Sequence, residues 1–197
     1  MPMTNEGSVN GSGHVQKGGE MDLVATHQRF LVAAALRTTG PMLELGVGWY
    51  STPLLHEIAR VQQRRLLTVD NNEHWLGQFR SLQCDFHSLE LIGWWGDLEK
   101  WSVCRCTERV GLVFVDNGQP AEREWLTRML MNKVDVFVFH DTEEGPAYGY
   151  NRILPEFKYL VTDKCQQSWT TIASNRVNVE SWNLVPLPVV KPSQEIT

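Results

Sequence analysis

The sequence predicts a single three-layer α/β domain in which helices cover both faces of a mainly parallel sheet. Three observations carry this. Short apolar strands alternate with amphipathic helices along most of the chain, a pattern that implies right-handed crossovers between parallel strands. The run from Val110 to Val115 is almost continuously apolar, as expected of a strand buried on both faces. At 197 residues the chain can bury one sizeable core and not two ordinary ones.

Residues 1–20 are rich in Gly, Ser and Asn and nearly devoid of apolar side chains, so they cannot offset the entropy of ordering and are predicted as a disordered tail. The domain itself is predicted over residues 21–180. From Met21, Leu23, His27, Phe30, Leu31 and Ala34 recur at helical spacing until Gly40-Pro41 stops the run, which predicts a leading helix. Met42 to Gly46 is the first strand. A helix follows from Ser51 to about Arg64, capped by Ser51 or Thr52, with Pro53 in its first turn. Leu66 to Asp70 is the second strand, and Trp75, Phe79 and Leu82 then share one helical face. His87 to Ile92 reads as strand three and Leu98 to Cys104 as a short helical segment, before Val110 to Asp116 as strand four.

Pro120 opens a helix whose Glu122 and Glu124 suit the positive end of the dipole, with Trp125, Met129 and Leu130 on its buried side. Val134 to His140 is strand five. Tyr150 to Phe157 reads as a weak helix broken by Pro155, and Lys158 to Asp163 and Trp169 to Ala173 as the last two strands. Residues 181–197, with Pro186, Pro188 and Pro192, read as an extended tail.

The net charge of −5 offers no basic excess for a nucleic-acid backbone, so no nucleic-acid partner is expected. The cluster Arg60, Arg64 and Arg65 is read as cations at a helix end. No stretch reaches the ~18 apolar residues of a membrane span, and the amino terminus has no charged start followed by an apolar run; a cytoplasmic location is the expectation. Cys84, Cys104, Cys106 and Cys165 match neither a zinc pair nor a disulfide framework, so reduced thiols are expected.

Ligands of parallel sheets bind at the carboxyl ends of the strands, and that rule selects the residues of interest. Strand one ends in Glu44-Leu45-Gly46-Val47-Gly48-Trp49-Tyr50-Ser51, where two glycines permit a tight turn and close approach of the backbone to a ligand. Asp70, at the end of strand two and 22 residues beyond Gly48, is placed to accept both hydroxyls of a ribose. Asn71 beside it belongs to the same cofactor set. Asp97, followed by Leu98, sits beyond strand three, where it can accept from an exocyclic amine or cap a helix. Strands four and five end in Asp116 and in His140-Asp141, which should be adjacent and offer a general base or oxygen ligands. Trp49, Trp94 and Trp95 fall near this face, where aromatic rings can wall a planar ligand.

Glu44-x-Gly46-x-Gly48, Asp70, Gly96-Asp97 and Val115-Asp116 resemble the ordered motifs of class I S-adenosylmethionine-dependent methyltransferases, over roughly Met42 to Asn175. The resemblance implies a Rossmann-like, seven-stranded sheet whose last strand is antiparallel, with the cofactor over the ends of strands one to three. Glu44, Gly46, Gly48 and Ser51 would hold its methionine part, Asp70 and Asn71 the ribose, Asp97 and Leu98 the adenine. The family's usual third glycine falls on Tyr50. Methyl transfer to an oxygen or nitrogen of a small molecule is then the leading expectation, with His140, Asp116 and Asp141, by their place at the adjacent strand ends, as the catalytic residues. Catechol-type O-methyltransferases bind magnesium through an acid after strand four and an Asp-Asn pair after strand five. Asp116 and Asp141 match the acids, making Mg²⁺ a candidate, but Thr142 stands where the Asn is expected.

Two other readings stay open at this stage. Gly46-x-Gly48-x-x-Ser51 with Asp70 comes close to a dinucleotide fingerprint, lacking its third glycine, and a scaffold protein of the same fold would keep the cofactor without transfer. Little of the chain is left over to enclose a substrate, which leaves room for a second copy of the chain to cover it.

Overall fold

The computed structural model describes residues 25–93, 109–118, 120–165 and 168–184. The expected contacts of Asp97 and Leu98, the short helix beyond them, Trp94, Trp95, Cys104 and Cys106 lie outside the described residues, as do both predicted tails apart from residues 181–184.

Seven strands form one sheet: β1 (Met42–Leu45), β2 (Leu66–Asp70), β3 (His87–Leu91), β4 (Val110–Val115), β5 (Val134–Phe139), β6 (Tyr159–Asp163) and β7 (Thr170–Ser174). Their order is β3-β2-β1-β4-β5-β7-β6, and only β7 runs antiparallel to its neighbours. This is the Rossmann-like architecture that the resemblance implied. The helices are α1 (Gln28–Arg37), α2 (Thr52–Gln62), α3 (Glu73–Gly77), α4 (Pro120–Leu130), α5 (Gly145–Tyr148) and α6 (Tyr150–Ile153).

The two-residue period of a strand divides the core into two faces. Met42, Leu66, Leu112, Phe114, Val136 and Val138 face α1 and α2, meeting Phe30, Leu31, Ala34, Leu55 and Ala59. Leu43, Leu45, Leu67, Val69, Val113, Val115, Phe137 and Phe139 face the other way, onto Leu126, Leu130, Tyr150 and Ile153. Each fully buried side chain of this kind contributes about 1.5–3 kcal/mol, so both layers stabilise the sheet.

Several local expectations change. Trp125 is on the exposed side of α4, where Leu126 takes a buried position beside the expected Leu130. Ser51 stands at the N-cap of α2 without a side-chain cap bond. Arg64 does not merely sit at the end of α2: it is 7% exposed and donates to the carbonyls of Ala35, Thr38 and Gly40, satisfying one orphan acceptor of the last turn of α1 and two carbonyls just beyond it. Trp182 folds back to the core, with the Arg37 guanidinium over its ring. Among the described residues no helix is long and apolar enough to cross a membrane.

Candidate functional site

The strand order reverses between β1 and β4, so loops leaving their carboxyl ends diverge and open a crevice. A cleft of about 390 Å³ lies there, lined by His27, the loop from Val47 to Ser51, Trp75, Asp116, His140, Asp141 and Ser168. That volume is in the range of small-molecule sites. A larger cleft of about 500 Å³, around Thr38 to Pro41 and Gln62 to Arg65, is at the opposite ends of these strands, away from every residue of the predicted chemistry.

Gly46 has φ +94°, and a Cβ on it would come within 2.5 Å of the Asp116 carbonyl oxygen. The turn therefore requires glycine, both for its dihedral and for its closeness to β4. The loop beyond is braced from three sides. Asp70 accepts from the Val47 amide through Oδ2 at 2.9 Å and from the Asn72 amide through Oδ1 at 2.7 Å. The Gly48 amide donates to Thr52 Oγ1 at 2.9 Å, and Trp75 Nε1 donates to the Val47 carbonyl at 2.6 Å. Trp49 is 56% exposed at the rim, its ring 4.7 Å from that of Phe79.

Glu44 is wholly buried beneath this loop. The parallel register sets Thr68 beside it, and Thr68 Oγ1 donates to Oε2 at 2.7 Å while Thr52 Oγ1 donates to Oε1 at 3.0 Å. Burial raises its pKa to about 7 against the opposing pull of the Ser51, Thr68 and Thr52 hydroxyls. As placed, Glu44 and Ser51 support the turn from below, with almost no surface toward the cleft. The Thr68 proton goes to Glu44, so its oxygen accepts from His87 Nε2 at 2.9 Å, and His87 Nδ1 in turn accepts from His56 Nδ1 at 3.0 Å.

The pairing of β4 with β5 makes Asp116 and His140 neighbours, as expected. His140 Nδ1 is 3.2 Å from Asp116 Oδ1 and 3.3 Å from Asp141 Oδ1. Burial works against a charge on His140, but the Asp116 hydrogen bond and both carboxylates outweigh it and raise its pKa. Its Nε2 lies 3.3 Å from Thr26 Oγ1. Asp141 adopts φ +56°, a left-handed conformation that acids tolerate better than most residues.

Two residues of this cluster escaped the sequence reading. His27, in the turn before α1, is 3% exposed and packs edge-on against His140, ring centroids 4.6 Å apart. Desolvation, reinforced by His140, lowers its pKa to about 4. Arg123 of α4 is 2% exposed; it donates to the carbonyls of Asn117 and His140 and to the Tyr150 hydroxyl, while Nη2 lies 3.4 Å from Asp116 and 3.8 Å from Asp141. An arginine inside an amphipathic helix carries no sequence signal of such a position.

The donor set does not fit magnesium held between Asp116 and Asp141. Magnesium needs near-octahedral oxygen ligands, yet the space between these acids is shared by the Arg123 guanidinium and an imidazole nitrogen. Thr142, in the position of the expected Asn, turns away and accepts from Thr171 at 3.0 Å.

The fold has many counterparts among solved structures. It is similar to the O-methyltransferase TomG from Streptomyces achromogenes, solved with S-adenosylmethionine, at 16% identity and TM-score 0.57, over 79% of this chain and 88% of that one. An O-methyltransferase from Bacillus cereus, solved with S-adenosylhomocysteine, is similar at 14% identity and TM-score 0.57, over 80% and 83% of the two chains. A human methyltransferase 10 domain containing protein is similar at 11% identity and TM-score 0.53, over 79% and 83%. No protein-family model matches the sequence, and no curated protein does. The fold is thus that of the S-adenosylmethionine-dependent methyltransferases.

Proposed function

We propose that this chain is an S-adenosylmethionine-dependent methyltransferase acting on an oxygen or nitrogen of a small molecule. The observation that carries the proposal is the juxtaposition, around one cleft of about 390 Å³, of a glycine turn braced by Asp70 and of the Asp116, His140 and Asp141 cluster. The similar folds solved with S-adenosylmethionine and S-adenosylhomocysteine support the same reading.

Gly46, Gly48 and Asp70 with Asn71 fit the cofactor: the turn brings backbone to the cleft, and each Asp70 oxygen keeps a lone pair beyond its amide bond. Glu44 and Ser51 act through the turn they support, and Asp97 and Leu98 complete the expected adenine side. Bound there, the cofactor supplies an electrophilic methyl on a sulfonium. Trp49 and Trp75 offer aromatic faces to a planar ligand. Asp116 and Asp141, each about a quarter exposed, present oxygens to the cleft and receive the proton of an acceptor hydroxyl or amine, with His140 behind them. Most of the rate enhancement comes from holding acceptor and methyl about 3 Å apart and in line.

Calorimetric titration of the full chain with S-adenosylmethionine and with NAD tests the proposal. Binding of the first and not the second is expected, with loss of at least tenfold in affinity (~1.4 kcal/mol) for Asp70→Ala. Binding of NAD alone overturns it. Transfer to a panel of small phenols, acids and amines then tests the acceptor class, and absence of transfer throughout favours a scaffold.

A further inference from the structure

The proton on Thr26 fixes which nitrogen of His140 faces the cleft cluster. Thr26 Oγ1 donates to the Ser168 carbonyl at 2.7 Å, a partner that can only accept. Its oxygen is then the acceptor for His140 Nε2, 3.3 Å away, so Nε2 carries the hydrogen. The other nitrogen, Nδ1, faces a group of acceptors, with Asp116 Oδ1 at 3.2 Å and Asp141 Oδ1 at 3.3 Å.

That nitrogen faces two carboxylates beside Arg123, a position in which either a proton or a metal ion can bridge imidazole and carboxylate. His27 adds a second imidazole at the same place. Both of its nitrogens are buried and neither makes a well-aligned hydrogen bond, the Tyr50 backbone giving only a weak one, an expensive state for a polar group that has no other role. One donor atom each from His27, Asp116 and His140 lie within 4.8 Å of one another, and all three residues line the cleft.

We infer that His27, Asp116 and His140 form a binding site for a divalent first-row transition-metal ion of the zinc type, with its open positions toward the cleft. Two imidazoles and one carboxylate are the donors such ions prefer, in contrast to the all-oxygen shell of magnesium. The surroundings supply the supporting contacts that metal sites show: His140 Nε2–H is held by Thr26, and Asp116 is oriented by Arg123. Asp141, beside His140, offers one further oxygen. The site draws on α1's leading turn and on two strand ends, so it also ties the amino-terminal segment to the sheet. It shares Asp116 and His140 with the proton-accepting cluster proposed above but uses none of the residues assigned to the cofactor, so metal binding without cofactor tests it separately from methyl transfer.

The test is a Zn²⁺ titration of the metal-free full chain by calorimetry in two buffers of different ionisation enthalpy, with no cofactor present. Binding of one equivalent is expected, with proton release, since the imidazoles must bind as neutral ligands. His27→Gln and Asp116→Asn should each weaken binding by about 100-fold or more, whereas His56→Ala, altering the other histidine pair, should leave it unchanged. In the unmutated chain, paramagnetic Co²⁺ should shift the ring resonances of His27 and His140 together. No stoichiometric binding, binding unaffected by His27→Gln in a folded variant, or Co²⁺ shifts at other histidines only would each overturn the inference.

Discussion

Nη2 of Arg123 stands 3.4 Å from Oδ1 of Asp116 and 3.8 Å from Oδ2 of Asp141, which places a permanent, buried cation between the acids that end β4 and β5. The same guanidinium donates to the carbonyls of Asn117 and His140, so it also ties both strand-end loops to α4. Replacing Arg123 with Met leaves those carbonyls and carboxylates uncompensated. The expected loss is about 1–3 kcal/mol, the cost of leaving buried carbonyl acceptors unsatisfied, since both carboxylates keep about a quarter of their surface in water. Arg123→Lys should recover only part of it, because an ammonium cannot reproduce the planar fork that meets four acceptors. Urea midpoints of the two variants check this, and equal midpoints for Met and wild type would refute it.

Gly46→Ala should damage the turn more than its small volume suggests. The residue sits at φ +94°, and the added methyl would come within 2.5 Å of the Asp116 carbonyl oxygen and 2.7 Å of the Asn117 amide nitrogen. Strain of this kind costs about 1–3 kcal/mol, and relief requires the loop to leave β4. The expected outcome is a lower melting temperature together with loss of S-adenosylmethionine binding in calorimetry. Retained affinity would show that the turn does not form the cofactor cradle.

Glu44 carries a pH dependence of opposite sign to an ordinary surface acid. Its pKa rises from 4.5 to about 7 because it is desolvated, so the folded state holds a proton that the unfolded chain has released. Its contribution to stability is therefore fully present below pH 4.5 and is lost as pH rises through 7, with an amplitude of about 3 kcal/mol. Glu44→Gln removes the charge and keeps an oxygen for the threonine hydroxyls. Denaturant midpoints should show the variant more stable than wild type at pH 8 and nearly equal to it at pH 4.5. A variant less stable at pH 8 would mean that the ionised carboxylate is what holds Thr52 and Thr68.

Much of this site was legible because apolar strands end abruptly in polar residues. Asp70, Asp116 and His140 could be placed at one sheet edge from the alternation of elements alone, and the register then set Asp116 beside His140. His27 and Arg123 were not legible, for different reasons. His27 falls on the apolar stripe of the leading helix pattern, where an imidazole looks like any core residue, and only the folding of that segment over β4 and β5 brings it to His140. Arg123 sits among Glu122, Glu124 and Arg128, in what reads as a solvated helix face. The bulk of Trp125 suggests burial, yet it is Leu126, with the expected Leu130, that meets the sheet. At β1, the family resemblance implied a ligand contact for Glu44, and the parallel register surrounds its carboxylate with Thr52 and Thr68 hydroxyls.

His87 should set part of the acid limit of the fold. It is fully buried between Thr68 and His56, and desolvation, with a smaller contribution from His56, lowers its pKa from 6.5 to about 4. The unfolded chain takes up a proton that the folded chain refuses until lower pH, so stability is present above pH 6.5 and is lost as pH falls through 4. The amplitude for this residue is about 3 kcal/mol. His27, also near 4, titrates over the same window, while Glu44 works against both. His87→Gln can still donate to Thr68 and cannot be protonated, so it should reduce, without abolishing, the fall in denaturant midpoint between pH 6.5 and pH 4. An unchanged fall in a folded variant would locate the acid sensitivity at His27 instead.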